Sequence, residues 1–81
     1  MKVLLSLLWK MKIYQREIDL PIAPFPGMGI DINDLLFDID YVKYMSEEKY
    51  LVVTVQMLKY KGLTKKQKEQ RLKKGKWKQV A

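Results

Sequence analysis

The 81-residue sequence contains no cysteine and no histidine. These absences exclude disulfide bonds, thiolate and imidazole metal ligands, cysteine nucleophiles and histidine-based acid–base catalysis. A chain of this length forms one small domain, which buries only about 60% of the surface of its unfolded state. The stability of the fold must therefore come from packing within the chain or against a partner subunit.

Motifs for catalysis and for cofactor binding are also missing. The serines and threonines have no histidine to activate them, and the glycines at Gly27 and Gly29 lack the spacing of a phosphate-binding loop. Acidic residues cluster between Asp31 and Asp40, but without the glycine and glutamate positions of a calcium loop, so a turn and a solvated strand face explain them. The sequence therefore predicts a non-enzymatic protein with no cofactor, no metal site and no small-molecule substrate.

Apolar and polar residues alternate near the N-terminus. Apolar side chains occupy six alternating positions: Val3, Leu5, Leu7, Trp9, Met11 and Ile13. This alternation predicts one long β-strand, since a helical spacing in the same segment covers fewer residues. The apolar positions change parity after Ile13, which predicts a bulge near Gln15–Glu17. Because Lys10 and Lys12 end the apolar run, we expect neither a signal peptide nor a membrane span, and a cytoplasmic location.

A hairpin formed by residues 35–45 and 50–60 is the clearest predicted element. The apolar residues of both arms lie at odd positions, so their core faces coincide only if paired residue numbers add up to an even number. A connection of three or five residues, or a bulge, satisfies this condition. The predicted register is Phe37 with Met57, Ile39 with Val55, and Tyr41 with Val53. Tyr44 and Tyr50 lie on the opposite face, which is apolar enough that something should cover part of it.

A short helix is predicted near the C-terminus. Thr64 and Gln67 have the spacing of a capping box, which predicts a helix over Lys65–Lys74. Gly75 is the expected left-handed residue that ends it. Trp77 follows and is expected to dock on the sheet and hold the helix in place, because an indole buries a large apolar area.

These elements predict a mainly β (α+β) fold. We expect about four antiparallel strands in a small sheet or SH3/OB-like partial barrel, followed by one short C-terminal helix. The proline-rich stretch 21–29 is expected to be an extended connector. Residues 1–63 form the β-rich core, and residues 64–81 form a basic helix and tail packed on it, within a single domain.

The net charge of +7 is concentrated at the C-terminus. Residues 1–63 carry eight basic and eight acidic side chains, whereas residues 64–81 carry eight basic side chains against Glu69 alone. Such a concentration is typical of a surface that faces an anion, although a solvated tail has the same composition. The candidate nucleic-acid-binding residues are Lys65, Lys66, Lys68, Arg71, Lys73, Lys74, Lys76 and Lys78, with Trp77 as a candidate for stacking on bases.

Two classes of function fit the sequence. The first is a non-catalytic, sequence-independent nucleic-acid-binding module that uses the basic C-terminal helix. The alternative is a protein-interaction or oligomerisation module with a solvated basic tail, in which an apolar first strand at the sheet edge pairs with another chain. The candidate interaction residues are Val3, Leu5, Leu7, Trp9, Tyr44 and Tyr50. The helix has almost no apolar face, so no membrane contact is expected.

The size, the lack of catalytic residues and the small-barrel layout are similar to those of accessory proteins of phages and mobile elements. No motif in the sequence identifies a family, and this likeness accompanies the alternative of a protein-interaction or oligomerisation module.

Overall fold

Six β-strands and one helix make up the part of the chain that the computed structural model describes, which is residues 1–33, 35–58 and 63–81. They are β1 (Lys2–Trp9), β2 (Lys12–Asp19), β3 (Gly29–Ile32), β4 (Leu35–Met45), β5 (Tyr50–Met57), α1 (Lys65–Lys74) and β6 (Lys78–Gln79). The strands form one curled sheet, a half-barrel, in the order β3-β4-β5-β1-β2-β6. The predicted strand-rich fold with a C-terminal helix is confirmed, but the described strands number six rather than about four.

β1 and β2 form a tight hairpin where the sequence predicts a single long strand. Lys10 and Met11 make the two-residue turn, and Trp9 pairs with Lys12 across it. The predicted bulge near Gln15–Glu17 is therefore wrong. The apolar positions change parity because the chain reverses: a two-residue turn sets odd positions of β1 opposite even positions of β2.

β1 lies in the middle of the sheet, antiparallel to β2 and parallel to β5. The prediction that the first strand forms a sheet edge is wrong, because both of its sides are paired. Val3, Leu5 and Leu7 are consequently buried in the core. The sequence predicted an antiparallel sheet. The parallel pairing of β1 with β5 shows that the sheet is mixed.

The β4–β5 hairpin contains a bulge that divides its register in two. The pairs nearest the core agree with the prediction: Phe37 with Met57, and Ile39 with Val55. Beyond the bulge at Asp40, Tyr41 pairs with Thr54 instead of Val53. The connection is the four-residue segment 46–49, so the paired residue numbers next to it add up to an odd number. The bulge inserts one residue and restores the even sum of the pairs nearest the core. The predicted position of Tyr41 on the core face is therefore wrong, and its side chain is exposed.

One face of the sheet, called here the core face, packs against α1 and the residues that follow it. Its buried side chains include Leu5, Leu7, Tyr14, Phe37, Ile39, Val53 and Val55, and the helical segment adds Leu72 and Trp77. The predicted helix bounds and capping box are confirmed. Thr64 Oγ1 accepts a hydrogen bond from the Gln67 backbone N–H (3.2 Å), and the Thr64 N–H donates to Gln67 Oε1 (2.9 Å).

The end of α1 is closed by Lys76 rather than by Gly75. Gly75 has φ −78°, whereas Lys76 has φ 61° and is the left-handed residue. The Lys76 N–H donates to the Lys73 carbonyl oxygen (3.3 Å), and the Trp77 N–H donates to the Leu72 carbonyl oxygen (3.2 Å). This is the Schellman arrangement, shifted one residue beyond the predicted position.

Candidate nucleic-acid interface

The basic C-terminal segment contacts the N-terminal hairpin through α1. Lys12 Nζ lies 3.9 Å from Glu69 Oε1, which joins the middle of α1 to the start of β2. Further along β2, the Arg16 guanidinium donates a hydrogen bond to the carbonyl oxygen of Gly75. The helix therefore lies against the side chains that β2 projects from the core face.

The same C-terminal segment contacts the hairpin again at the edge of the sheet. Lys78 of β6 pairs with Gln15 of β2, and the Val80 N–H donates to the Ile13 carbonyl oxygen (2.8 Å). Residues 1–20 and residues 64–81 thus adjoin along much of β2. These two ranges are called the basic half below.

Charge is divided unevenly across the sheet. The basic half carries twelve Lys and Arg against three Asp and Glu, a net charge of +9. Residues 29–58, which supply β3, β4 and β5 and are called the acidic half, carry six Asp and Glu against two Lys, a net charge of −4. A positive excess of this size in one part of the chain favours contact with an anionic partner.

Most of the predicted phosphate-contacting residues are accessible. The exposed ones are Lys65, Lys66, Lys73, Lys74, Lys76 and Lys78, while Lys68 and Arg71 are half-buried. The structure adds four basic residues to the same half, none of which is among the candidates found in the sequence: Lys2, Lys10, Lys12 and Arg16. Their charge is cancelled in the sequence by the acidic residues 29–58, so residues 1–63 have no net charge. Only the strand pairing shows that β2, which carries Lys12 and Arg16, lies beside the C-terminal segment.

Trp77 has a different environment from the other predicted site residues. It is 7% exposed, and its ring centroid lies 5.2 Å from that of Phe37 in the core. This position agrees with the predicted docking of the helix by Trp77. It does not agree with stacking on bases, because a buried indole cannot reach a nucleic acid.

The predicted interaction residues do not form one surface. Val3, Leu5 and Leu7 are buried within the chain. Trp9 lies half-buried at one end of β1, and its ring centroid is 6.4 Å from that of Tyr14. Near the other end of β1, Tyr44 pairs with Leu51 and lies exposed on the core face, whereas the half-buried Tyr50 pairs with Met45 and lies on the opposite face. The prediction that both tyrosines lie on the opposite face is therefore wrong for Tyr44, and the six residues do not form a common surface.

A groove of about 590 Å³ runs between α1 and the β3–β4 turn. Its lining is polar and cationic: Asn33, Gln67, Gln70, Arg71 and Lys74. Amide and cationic groups donate hydrogen bonds to phosphate and sugar oxygens, so the groove extends the basic surface with donors of suitable chemistry. Within the described residues, no group of three or more acidic side chains is placed to hold a metal ion.

Fold and charge together define a small strand-rich protein with one strongly basic half. No protein-family model matches the sequence, and no curated protein or solved structure shows significant similarity to it. In the part of the chain that the structure describes, no helix has the length and apolar character needed to span a membrane.

Proposed function

We propose that the protein binds nucleic acid without sequence preference through its basic half. The observation that carries the proposal is that β2 adjoins the basic C-terminal segment, since Lys12 contacts α1, Arg16 contacts Gly75 at its end, and β6 pairs with β2. Lysine and arginine bind the phosphate backbone by releasing its condensed counterions, a contribution that does not depend on base sequence.

The composition of the basic half favours phosphate contacts over base contacts. Ten of its twelve cations are lysines, which act as flexible point charges rather than as planar hydrogen-bonding groups. Among the described residues, the exposed aromatic side chains are Tyr41 and Tyr44 on the acidic half and Phe25 in the proline-rich connector, and none belongs to the basic half. Stacking on unpaired bases therefore contributes little, and we expect a dissociation constant of about 10⁻⁴–10⁻⁶ M on duplex DNA at physiological salt.

Salt dependence tests the proposal directly. Fluorescence anisotropy with two unrelated duplexes of equal length, measured between 50 and 200 mM salt, should give equal affinities and parallel salt dependences. Engagement of about four phosphates gives a slope of about −3.6 in a plot of log affinity against log salt concentration. Loss of Lys66 and Lys73, exposed on one flank of α1, should remove about 1.8 from the magnitude of the slope.

A matched variant controls for net charge. Lys66→Gln with Lys73→Gln removes two charges from the basic half, and Lys43→Gln with Lys49→Gln removes two from exposed positions of the acidic half. The first pair should weaken binding much more than the second. Equal effects would show a non-specific dependence on total charge. No binding at 50 mM salt would reject the proposal in favour of the protein-interaction module.

A further inference from the structure

The turn of the β1–β2 hairpin holds two side chains in a backbone conformation that is unfavourable for them. Lys10 has φ 52° and Met11 has φ 62°, values for which a two-residue turn strongly prefers asparagine and glycine. Lys10 gains some compensation, because its Nζ lies 4.6 Å from the centroid of the Trp9 ring. Met11 is 94% exposed, so packing within the chain does not explain an apolar side chain there. Strain of this kind at an exposed residue is a reason to look for a ligand.

Three further aliphatic side chains lie beside the turn on the outer face of the sheet, which is the face opposite α1. Leu8 pairs with Ile13, and Val80 is hydrogen-bonded to the backbone of Ile13, so the three lie in one row across β1, β2 and the C-terminal tail. Leu8 is 68% exposed and Val80 52% exposed. Leu8, Met11, Ile13 and Val80 are called the tip patch below.

Cationic side chains adjoin the tip patch. Lys78 lies on the same face of the tail as Val80. Lys10 and Lys12 flank Met11 in sequence, with the Lys10 ammonium over the Trp9 ring and the Lys12 ammonium near Glu69 of α1. A second copy docked symmetrically on this patch would bring two halves of +9 together, which electrostatic repulsion opposes. Unpaired bases prefer aromatic platforms, whereas the tip patch is wholly aliphatic. Aliphatic side chains bordered by lysines instead match a bilayer with anionic headgroups over hydrocarbon.

We propose that the tip patch inserts into the boundary between headgroups and acyl chains of an anionic lipid bilayer. Met11 and Leu8 enter the apolar layer, while Lys10 and Lys78 contact headgroup phosphates. Trp9 lies next to the turn but on the core face, opposite Leu8, so its indole reports the approach of the turn to the bilayer. The expectation of no membrane contact rested on α1, whereas this surface belongs to the hairpin and the tail.

Sedimentation with vesicles tests the proposal on the intact protein. One set of vesicles contains phosphatidylcholine with 30% phosphatidylglycerol, and the other contains phosphatidylcholine alone. Wild type should bind the anionic vesicles preferentially. Leu8→Ser combined with Met11→Ser should lower that affinity at least about tenfold, since each removes most of a buried aliphatic side chain. Lys10→Gln should lower it about fivefold.

The matched control is Ile22→Ser combined with Phe25→Ser, a pair of exposed apolar residues in the proline-rich connector. It should bind anionic vesicles as wild type does. Lipids brominated near the headgroup should quench Trp9 fluorescence in wild type, because the other tryptophan, Trp77, is buried. Equal affinity of the tip variant and wild type would overturn the proposal.

Duplex binding measured on the same variants separates this inference from the proposed nucleic-acid function. The tip variant should bind duplex DNA as wild type does, with an unchanged thermal unfolding transition, because both substituted side chains are exposed. If wild type does not bind anionic vesicles and the tip variant loses affinity for DNA, the tip patch is a DNA contact and the lipid proposal is wrong. Vesicle binding without DNA binding would uphold the lipid proposal and reject the nucleic-acid one.

Discussion

Replacing Gly75 by alanine tests how closely α1 is held against the sheet. A Cβ at this position would lie 3.0 Å from Asn33 Nδ2, 3.1 Å from Trp77 Cδ1 and 3.2 Å from Arg16 Nη1. Ordinary van der Waals contacts begin at about 3.4 Å, so all three neighbours have to move. The Arg16 guanidinium also donates to the Gly75 carbonyl oxygen, and its displacement would weaken that hydrogen bond.

Two effects of opposite sign determine the size of the change. The φ of Gly75 is −78°, a value open to any residue, so alanine gains about 0.4–1 kcal/mol by restricting the unfolded chain. Overpacking costs about 1–3 kcal/mol, and here the crowded groups are the side chains of Asn33, Trp77 and Arg16, which come from three separate segments of the chain. We expect a net loss of about 1–2 kcal/mol in the free energy of unfolding. In a domain of this size, that loss lowers the melting temperature by about 5–15 °C.

Urea and thermal unfolding, followed by far-UV circular dichroism and tryptophan fluorescence, measure the change. Lys76→Gly is the control, because Lys76 is the residue that has the left-handed conformation. It should stabilise the protein by about 0.5–1 kcal/mol. A stabilising Gly75→Ala would show that the helix lies further from the sheet, and a destabilising Lys76→Gly would show that Lys76 does not have the left-handed conformation.

Two further predictions concern the core and the hairpin turn. Phe37→Ala should cost about 3–5 kcal/mol, because the ring is fully buried and contacts Trp77; an unchanged urea midpoint would contradict the described core. Lys10→Asn with Met11→Gly should stabilise the hairpin by about 1 kcal/mol while weakening binding to anionic vesicles. Differential scanning calorimetry measures the change in stability, and vesicle sedimentation on the same preparation measures the change in binding. A loss of thermal stability would refute the assignment of the turn to Lys10 and Met11.

Local patterns predicted those elements whose signals lie within a few residues. The capping box at Thr64 and Gln67 set the start of α1, and alternation in both arms set the inner register of the β4–β5 hairpin. The β1–β2 turn gave no such signal, because Lys10 and Met11 are not turn-forming residues. A parity change alone is equally consistent with a bulge and with a chain reversal.

The candidate site was only partly predictable, since its composition is local and its arrangement is not. The lysines of α1 and the tail stand out in the sequence as a block. Lys12 and Arg16 join them only because β2 contacts α1 through its side chains and pairs with β6 at the sheet edge, an arrangement that composition does not contain. The docking of Trp77 could be predicted because an indole is large and apolar. Its use for stacking on bases could not be judged without knowing that the side chain is buried.

The parallel contact between β1 and β5 also constrains the order in which the chain can acquire its structure during synthesis. The ribosome releases β1 first, but one side of that strand has no neighbour until residues 50–57 have emerged. The apolar side chains of Val3, Leu5 and Leu7 are covered later still, when Leu72 and Trp77 have been synthesised and can pack into the same core. An unpaired apolar strand readily recruits other strands. This apolar strand is thus made before the elements that cover it, and the sheet and its core are complete only after Trp77 has been translated.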